Sequence, residues 1–392
     1  MASPLTKKVL VPIVAGTEPV EATVPIVVLR RAGADVTVAS AGGGGLVVEA
    51  MYGVRIVADA LVAADDCAAA HFDLIVLPGG VPGAANLGGC AALEAVVRRH
   101  AATGGLYAAI CAAPSLALAS WGVLNGLEAT AHPLFVDKFP PEVAAVDASV
   151  VVDGNAVTSR GPATSTEFAL ALVEQLYGKD KAEQIAKEML VRYEAGYTIN
   201  EVNSVQWKCD GTPKVLVPVA NGTEEMELIT IIDVLRRADA DVVVASAENT
   251  VDIAARHGMR IVADTTLDEA AADQTSFDLI ILPGGTPAAK TLSSNGKLVT
   301  LLKKQAEASK PYGAIGASTA HVLEGKKAAA HPSMVAGLMK DGAGKRESRV
   351  VVDGNVITGR SAGTAMEFAV AVVEKLLGRD VAQRVAEGLL FA

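Results

Sequence analysis

Aromatic side chains are scarce in this sequence: Phe, Trp and Tyr together make up 4% of the 392 residues, although 51% of the residues are hydrophobic. The interior must therefore be built mainly from Val, Ile, Leu and Ala, a composition typical of buried parallel sheets flanked by helices. The length allows two or three domains of ordinary size, each with its own core. We predict an α/β protein with two domains.

Cysteine is also scarce, and its spacing excludes two common uses. Cys67, Cys90, Cys111 and Cys209 form no C-x-x-C pair and no spacing typical of a zinc site. We therefore predict no disulfide framework, no metal and no other cofactor, and a reducing compartment. The apolar stretch that begins at Val9 leaves no room for a targeting peptide before it, so we expect a cytoplasmic protein, with nuclear presence left open.

Positive charge is in deficit, because 34 Lys and Arg residues face 44 Asp and Glu residues, a net charge of -10. Phosphate contacts need clustered Lys and Arg, so we predict no nucleic-acid partner and no membrane partner, and a small molecule instead. Residues 101–127 carry no charge, but glycines and Pro114 interrupt them. A buried strand, a turn and a helix fit this stretch better than a membrane span.

The chain contains an internal repeat, which decides the domain organisation. Three motifs recur in the same order and with similar spacing: VLVPIVAGTEPVE from Val9 and VLVPVANGTEEME from Val215, FDLIVLPGG from Phe72 and FDLIILPGG from Phe277, VVDGNAVTSR from Val151 and VVDGNVITGR from Val351. Both copies therefore share one fold. We predict domains at residues 1–195 and 213–392, joined by a polar linker at residues 196–212.

Hydrophobic periodicity in the first copy predicts alternating strands and helices. The predicted strands are Lys8 to Val14, Asp35 to Ala41, Phe72 to Leu77 and Leu106 to Ile110, with a hairpin at Ser149 to Val152 and Ala156 to Thr158. Helices are predicted at Pro19 to Arg31 and from Ser165 and Asp180 onward. The pattern indicates a doubly wound sheet, in which ligands sit at the carboxyl ends of the strands. Glu21, the Gly79-Gly80 pair and Cys111 all lie at or near such ends.

Cys111 stands where an apolar strand turns sharply into a helix, in the segment AICAAP. This nucleophile-elbow arrangement exposes the sulfur to a pocket. The positive end of the following helix favours the thiolate and predicts a lowered pKa for the thiol. An isolated cysteine is more often a small buried apolar residue, but the position at the elbow favours a nucleophile.

Glu21 lies in the first turn between strand and helix, close in sequence to Glu18, and either acid could simply complement the helix dipole. A pocket carboxyl beside a thiolate can donate a hydrogen bond to it when protonated, or act as a general base toward substrate. Backbone N–H groups of Gly79, Gly80 and Ala112 could hold a developing oxyanion. His132 could be a third catalytic partner or a structural histidine. These alternatives stay open at the level of sequence.

The motifs TEPVE, DLIVLPGG, AAICAAP, AHP and TSRGPATSTEFALALVE of the first copy resemble those of the DJ-one/ThiJ/PfpI superfamily, most closely its DJ-one branch, and the tandem arrangement resembles plant members. The resemblance covers nearly the whole chain. It implies tandem flavodoxin-like α/β/α sandwich domains of the class I glutamine amidotransferase-like type. It also implies a reactive Cys111 partnered by Glu21, a neighbouring His132, and oxyanion contacts from Gly80 and Ala112.

The second copy departs from this pattern at its elbow, where Gly316 stands in place of the cysteine. It keeps Glu227 and His331, so we predict a degenerate second site without a nucleophile. Two further departures concern the first copy. Leu134 stands where glutamine amidotransferases place a glutamate, and Ala112 stands where the protease-like branch places a histidine. Glutaminase and peptidase activities are therefore disfavoured.

The resemblance and the Cys–Glu arrangement together predict a cofactor-independent glyoxalase that converts methylglyoxal or glyoxal to lactate or glycolate, with protein deglycase as a variant of the same chemistry. The alternative is an oxidative-stress redox sensor or holdase chaperone that uses oxidation of Cys111. A binding scaffold without turnover is the third option. Because single-domain relatives are commonly two-fold dimers, we expect the two copies to form an intramolecular pseudo-dimer, with further oligomerisation open.

Overall fold

The computed structural model describes residues 6–64, 67, 69–193, 196–209, 211–272, 276–321, 326–334, 344–345 and 348–391. The chain divides into two compact units. The first unit extends to Glu188 and includes Leu389–Phe391, and the second unit comprises Met189–Gly388. Within the described residues, no helix is long and apolar enough to cross a membrane.

The first unit is built on a seven-stranded sheet with the order β10-β11-β7-β6-β1-β2-β5. Its pairings are parallel except for the antiparallel hairpin of β10 and β11. These strands are β1 (Lys8–Ile13), β2 (Asp35–Ser40), β5 (Ala60–Leu61), β6 (Leu74–Leu77), β7 (Leu106–Ile110), β10 (Val150–Asp153) and β11 (Ala156–Ser159). Two short pairs lie outside the sheet: antiparallel β3 (Val47–Glu49) with β4 (Arg55–Val57), and parallel β8 (Glu128–Ala129) with β9 (Ala144–Ala145).

The helices of the first unit cover the sheet, and the central strands are consequently buried on both faces. They are α1 (Pro19–Ala32), α2 (Val81–Gly88), α3 (Ala91–Ala102), α4 (Pro133–Val136), α5 (Ser165–Tyr177) and α6 (Lys179–Met189). Every residue of β6 is buried, as are residues 9–13 of β1, which explains why both strands read as unbroken apolar runs. The doubly wound α/β architecture predicted from the periodicity is confirmed.

The second unit repeats this plan with an eight-stranded sheet in the order β12-β22-β23-β19-β18-β13-β14-β17. The strands are β12 (Ile199–Val202), β13 (Lys214–Val219), β14 (Asp241–Ser246), β17 (Thr265–Thr266), β18 (Leu279–Leu282), β19 (Tyr312–Ile315), β22 (Val350–Asp353) and β23 (Val356–Gly359). Shorter strands are β15 (Asp252–Ala254), β16 (Arg260–Val262), β20 (Lys327–Ala328) and β21 (Gly344–Lys345). The helices are α7 (Glu225–Arg237), α8 (Leu267–Ala272), α9 (Thr286–Ser294), α10 (Gly296–Glu307), α11 (Ala365–Leu377) and α12 (Arg379–Gly388).

The segment that the sequence treats as a linker, residues 196–212, is partly structured. β12 adds to the edge of the second sheet by pairing in parallel with β22. The buried Trp207 follows it, and its indole N–H donates a hydrogen bond to the Gly354 carbonyl oxygen at 3.0 Å. Because the segment is polar on average, its sequence did not indicate the short strand or the buried tryptophan. The compact second unit, which runs from Met189, includes these residues.

His100, at the end of α3, gives the first unit a sensitivity to acid. Its ring is largely buried and forms a hydrogen bond of 2.8 Å with the Leu106 carbonyl oxygen. Burial lowers the pKa of His100 from its ordinary value, with smaller contributions from nearby charges. The unfolded chain therefore binds this proton more readily than the folded chain, so the free energy of unfolding falls as the pH drops below about 6.5.

We expect His100→Gln to reduce this acid sensitivity, because glutamine has no proton to take up. Thermal unfolding followed between about pH 7.5 and pH 5.5 should show a larger decrease in Tm for the wild type than for the variant. Equal decreases for both proteins would show that other groups account for the acid response.

Candidate active site

Cys111 occupies a sharp turn directly after β7. Its φ is 66°, in the left-handed region that residues other than glycine rarely adopt, at a cost of about 1–3 kcal/mol. Backbone hydrogen bonds hold the turn: the Cys111 N–H donates to the Ser159 carbonyl at 3.0 Å, and the Cys111 carbonyl accepts from the His132 N–H at 2.9 Å. Neighbouring segments thus maintain a conformation that the cysteine alone would not favour, and a π-helix, Pro114–Ala119, follows.

Glu21 is fully buried in the first turn of α1 and reaches the same place from the other side. Its carboxyl group lies beside the Cys111 thiol and raises the pKa of that thiol, and its Oε2 accepts from the Gly79 backbone N–H at 3.0 Å. The Gly80 N–H acts on the same thiol and lowers its pKa. The structure therefore brings together the predicted nucleophile, the predicted carboxyl partner and the predicted glycine pair.

Glu18 has a different role, which settles one alternative left open by the sequence. It is the N-cap residue of α1, and its Oε2 accepts a hydrogen bond from the Glu21 backbone N–H at 2.6 Å. Glu18 thus stabilises the start of the helix and fixes the backbone of Glu21. Of the two acids, Glu21 is the one in contact with the sulfur.

The electrostatics of Cys111 correct an expectation. The helix dipole predicted a lowered pKa, but burial raises the pKa of the Cys111 thiol well above its ordinary value, and the negative charge of Glu21 raises it further. The Gly80 N–H opposes these effects. The sequence did not show how completely the sulfur is buried against a carboxylate: Cys111 is only 8% exposed. Burial and the neighbouring carboxylate thus both favour the protonated thiol over the thiolate.

Gly79 leaves room for the Cys–Glu pair. A Cβ placed on it would lie 2.4 Å from Glu21 Oε2, 2.5 Å from Cys111 Cβ and 2.9 Å from the Ile110 carbonyl oxygen. All three distances are shorter than real Cβ contacts, and one involves backbone that cannot move away cheaply. The side chains of Glu21 and Cys111 can meet only because position 79 is glycine.

We expect Gly79→Ala to destabilise the first unit by about 1–3 kcal/mol and to separate Cys111 from Glu21. Gly89→Ala is the matched control, because a Cβ at Gly89 would meet nothing closer than 3.6 Å. The control should stay within about 1 kcal/mol of the wild type. Thermal unfolding and the rate of Cys111 alkylation measure the two effects, and wild-type behaviour of Gly79→Ala in both would contradict this role of Gly79.

His132 lies beside the elbow, but its ring bonds to the start of a helix. It is half-buried and caps α4, where its Nδ1 accepts a hydrogen bond from the Leu134 N–H at 3.2 Å. Burial, and then the positive charge of Arg160, lower the pKa of His132, so the ring is neutral near pH 7. Among the described residues, the structure shows the histidine joined to Cys111 through the backbone and shows no hydrogen bond from its ring to Sγ. A catalytic role for His132 stays a prediction.

The predicted oxyanion donors are divided between different acceptors. The Gly79 N–H donates to Glu21 and the Gly80 N–H lowers the pKa of the Cys111 thiol, while Ala112 directly follows the elbow and is fully buried. Two neighbours that sequence reasoning did not single out also belong to the site: Ser159, whose carbonyl anchors the elbow, and Arg160, whose charge acts on His132. Both residues end the VVDGNAVTSR motif. The recurrence of that motif in the second copy was the sequence signal that could have singled them out.

The second unit preserves the shape of this site without its thiol. Gly316 has a φ of 61°, close to that of Cys111, and Glu227 Oε2 accepts from the Gly284 N–H at 2.7 Å, as Glu21 does from Gly79. A Cβ on Gly316 would lie 2.6 and 2.8 Å from the two carboxylate oxygens of Glu227. The carboxylate therefore crowds the position where a cysteine side chain would begin.

No side chain near this second elbow replaces the missing nucleophile within the described part of the chain. Ser318 Oγ is buried and donates to the Pro283 carbonyl at 2.6 Å. The Nδ1 of His331 forms a hydrogen bond of 2.7 Å with Ser333 Oγ. The second site therefore lacks the thiol but keeps the backbone turn of the first.

Comparison with known proteins identifies the family. The family model described as DJ-1/PfpI matches residues 7–175 and again residues 213–375. The chain belongs to the DJ-1/PfpI family. It is 49% identical to Protein DJ-1 homolog B of Arabidopsis thaliana, over 98% of this chain and 88% of that one, and 48% identical to Protein DJ-1 homolog A of the same plant, over the full length of both. Glutathione-independent glyoxalase DJR-1.2 of Caenorhabditis elegans is 36% identical over 44% of this chain and 89% of its own length.

The family assignment agrees with the duplicated architecture. Each DJ-1/PfpI match falls within one of the two compact units, and each unit carries the same order of strands around its elbow. The tandem DJ-1 organisation predicted from the repeat is confirmed by the full-length match to the two plant homologues.

Proposed function

We propose that this DJ-1/PfpI protein is a glutathione-independent glyoxalase that converts methylglyoxal to lactate, and glyoxal to glycolate, at Cys111. The observation that carries the proposal is the burial of the Cys111 thiol beside the Glu21 carboxyl group, which the Gly79 N–H holds by a hydrogen bond. The relative named as a glutathione-independent glyoxalase supports it. The second unit lacks the thiol, so the activity is assigned to the first unit.

The first step of the proposed mechanism is addition of sulfur to the aldehyde. Glu21 accepts the thiol proton, Cys111 Sγ bonds to the aldehyde carbon, and the proton passes to the aldehyde oxygen, which gives a hemithioacetal. The raised pKa of the thiol suits this step, because transfer of the proton to Glu21 as sulfur adds to the aldehyde avoids a second buried negative charge. The N–H groups of Gly80 and Ala112 would stabilise the oxygen as charge develops on it.

The second step moves a proton between the two carbons. Glu21 removes the proton from the carbon bonded to sulfur, an enediol forms, and the proton returns to the neighbouring carbon, which leaves a thioester of the hydroxy acid. Water then cleaves the thioester and restores the thiol. One carbon is oxidised while its neighbour is reduced, so the only co-reactant is water and no external electron carrier takes part.

A second candidate function, a redox sensor, rests on the same contacts. Glu21 and the Gly80 N–H both lie near enough to the thiol to shift its pKa, and the same two groups could hold the oxygens of a Cys111 sulfinate formed by peroxide. The raised pKa of Cys111 opposes formation of the thiolate that both functions use, so it does not separate them, and the relative named as a glyoxalase favours the enzyme. We therefore place the redox role second.

One assay separates the two functions. Lactate formed from methylglyoxal is measured with no glutathione and with a metal chelator present, before and after exposure of the protein to hydrogen peroxide. The glyoxalase proposal expects saturable lactate formation that peroxide abolishes. If lactate stays at the buffer background while the Cys111 peptide gains the mass of two oxygen atoms, the sensor function replaces the enzyme.

A further inference from the structure

Three side chains of the second unit meet at the start of α7: Glu224, Glu225 and His257. One ligand-type atom from each of them lies within 4.8 Å of the other two. Glu224 is 3% exposed and Glu225 is fully buried, while His257 is half-buried in the turn between β15 and β16. Two carboxylates and an imidazole at such distances form a donor set that divalent transition metals accept.

Backbone hydrogen bonds orient both carboxylates. Glu224 Oε2 accepts from the Glu227 N–H at 2.8 Å, and Glu225 Oε1 accepts from the His257 N–H at 2.6 Å and from the Met259 N–H at 3.4 Å. Outer contacts of this kind position the ligands of protein metal sites. Here they leave the second oxygen of Glu225 for another partner.

That second oxygen is the observation that points to a ligand. Glu225 Oε2 is buried and has no hydrogen-bond partner within the described structure, an arrangement that costs free energy unless something else binds the oxygen. Burial and the charge of Glu224 also raise the pKa of Glu225, to about 7. A cation between the two carboxylates would offset both their repulsion and the missing contact.

The first unit offers an internal comparison, because its corresponding turn is closed by the same backbone hydrogen bond and lacks these ligands. The Ala50 N–H donates to the Val54 carbonyl and the Ala255 N–H to the Met259 carbonyl, each at 2.8 Å, so Tyr52 is the counterpart of His257. Pro19 follows the capping Glu18 just as Glu225 follows the capping Glu224. Neither Pro19 nor Tyr52 offers a carboxylate or an imidazole. The cluster is therefore specific to the second unit and is not needed for the fold.

We propose that Glu224, Glu225 and His257 bind one divalent transition-metal ion, with Zn²⁺ as the representative. The prediction of no metal rested on the spacing of cysteines, and this site uses none. Small rotations of the three side chains would bring them to bonding distances of about 2.0–2.2 Å, with solvent completing the coordination. The ion would bridge the β15–β16 turn to the N-terminus of α7, next to Glu227.

Zinc binding by the full-length, metal-free protein tests the proposal. We expect one equivalent of Zn²⁺ in equilibrium dialysis, with affinity reduced at least about tenfold in Glu225→Gln and in His257→Tyr. His257→Tyr introduces the residue that the first unit carries at this position, and Glu225→Gln keeps the size and the carbonyl acceptor, so both chains should fold. Glu307→Gln, which removes an exposed carboxylate of the same unit, is the control and should bind zinc like the wild type.

Two further measurements separate binding at this cluster from binding at a cysteine and from a loss of folding. Co²⁺ bound by carboxylates and imidazole lacks the strong near-ultraviolet charge-transfer absorption that thiolate ligands produce, so its spectrum excludes or reveals cysteine binding. Without metal, Glu225→Gln should unfold at a temperature no lower than the wild type, because it removes a buried charge beside Glu224. Undiminished zinc binding in both variants, a thiolate spectrum, or no zinc binding by the wild type would each overturn the proposal.

Discussion

Replacement of Cys111 by serine is expected to reduce glutathione-independent lactate formation from methylglyoxal by about a thousandfold or more, to the level of buffer. A serine hydroxyl at this elbow is a far weaker nucleophile, since its proton is not lost near neutral pH. The second unit has no thiol to take over, because Gly316 occupies the corresponding elbow, and the neighbouring Ser318 hydroxyl is engaged with the Pro283 carbonyl. Initial rates at several substrate concentrations measure the effect.

Cys90→Ser is the matched control for this experiment. Cys90 lies in the same unit, half-buried and directly before α3, and it lies outside the Cys111 site. The Cys90→Ser variant should retain wild-type turnover. If Cys111→Ser kept turnover while Cys90→Ser lost it, the nucleophile would be misassigned. If both variants kept it, lactate would form without a cysteine adduct.

The position of the site could be predicted from the sequence, but the direction of the Cys111 pKa shift could not. A cysteine after an apolar strand, an acid in the first βα turn and a glycine pair after a third strand all converge in the structure, because the carboxyl ends of parallel strands share one edge of the sheet. The direction of the Cys111 pKa could not be predicted in this way. It depends on how deeply the sulfur is buried and on the distance to one carboxylate, and neither follows from local sequence.

The linker shows a similar limit. Ile199–Val202 pairs with a strand that lies about 150 residues later in the chain, so no local pattern reveals its partner. The roles of Glu18 and Glu21 were likewise open, since both are acids at a helix start. Only the side-chain directions show that Glu18 bonds to the helix backbone while Glu21 lies beside the thiol.

Comparison with Glu227 of the second unit separates the structural role of Glu21 from its chemical role. Glu227 holds the Gly284 N–H at 2.7 Å, and Glu21 holds the Gly79 N–H at 3.0 Å, although only Glu21 has a thiol beside it. The glutamate therefore ties the loop after β6 in the first unit, and the loop after β18 in the second, to the first helix of that unit, whether or not the site reacts. The chemical part of the role of Glu21 must be measured against this shared structural part.

Glu21→Gln is expected to lower turnover by about 10²–10⁴-fold while the first unit stays folded. Glutamine keeps an oxygen that can accept from Gly79, but it can neither take the thiol proton nor return a proton to the second carbon of the substrate. Alkylation of Cys111 by iodoacetamide should continue, because that reaction needs the sulfur and no proton shuttle toward a substrate. The ratio of turnover to alkylation rate is thus the informative quantity.

Glu227→Gln provides the matched control, since it makes the same change at the same backbone hydrogen bond in the unit that lacks a thiol. It should leave lactate formation within about twofold of the wild type and should alter thermal unfolding about as much as Glu21→Gln does. Glu21→Asp should recover part of the lost turnover, because it restores a carboxyl group at a shorter reach. Equal turnover in Glu21→Gln and the wild type would remove Glu21 from the chemistry and leave it the structural role that Glu227 already shows.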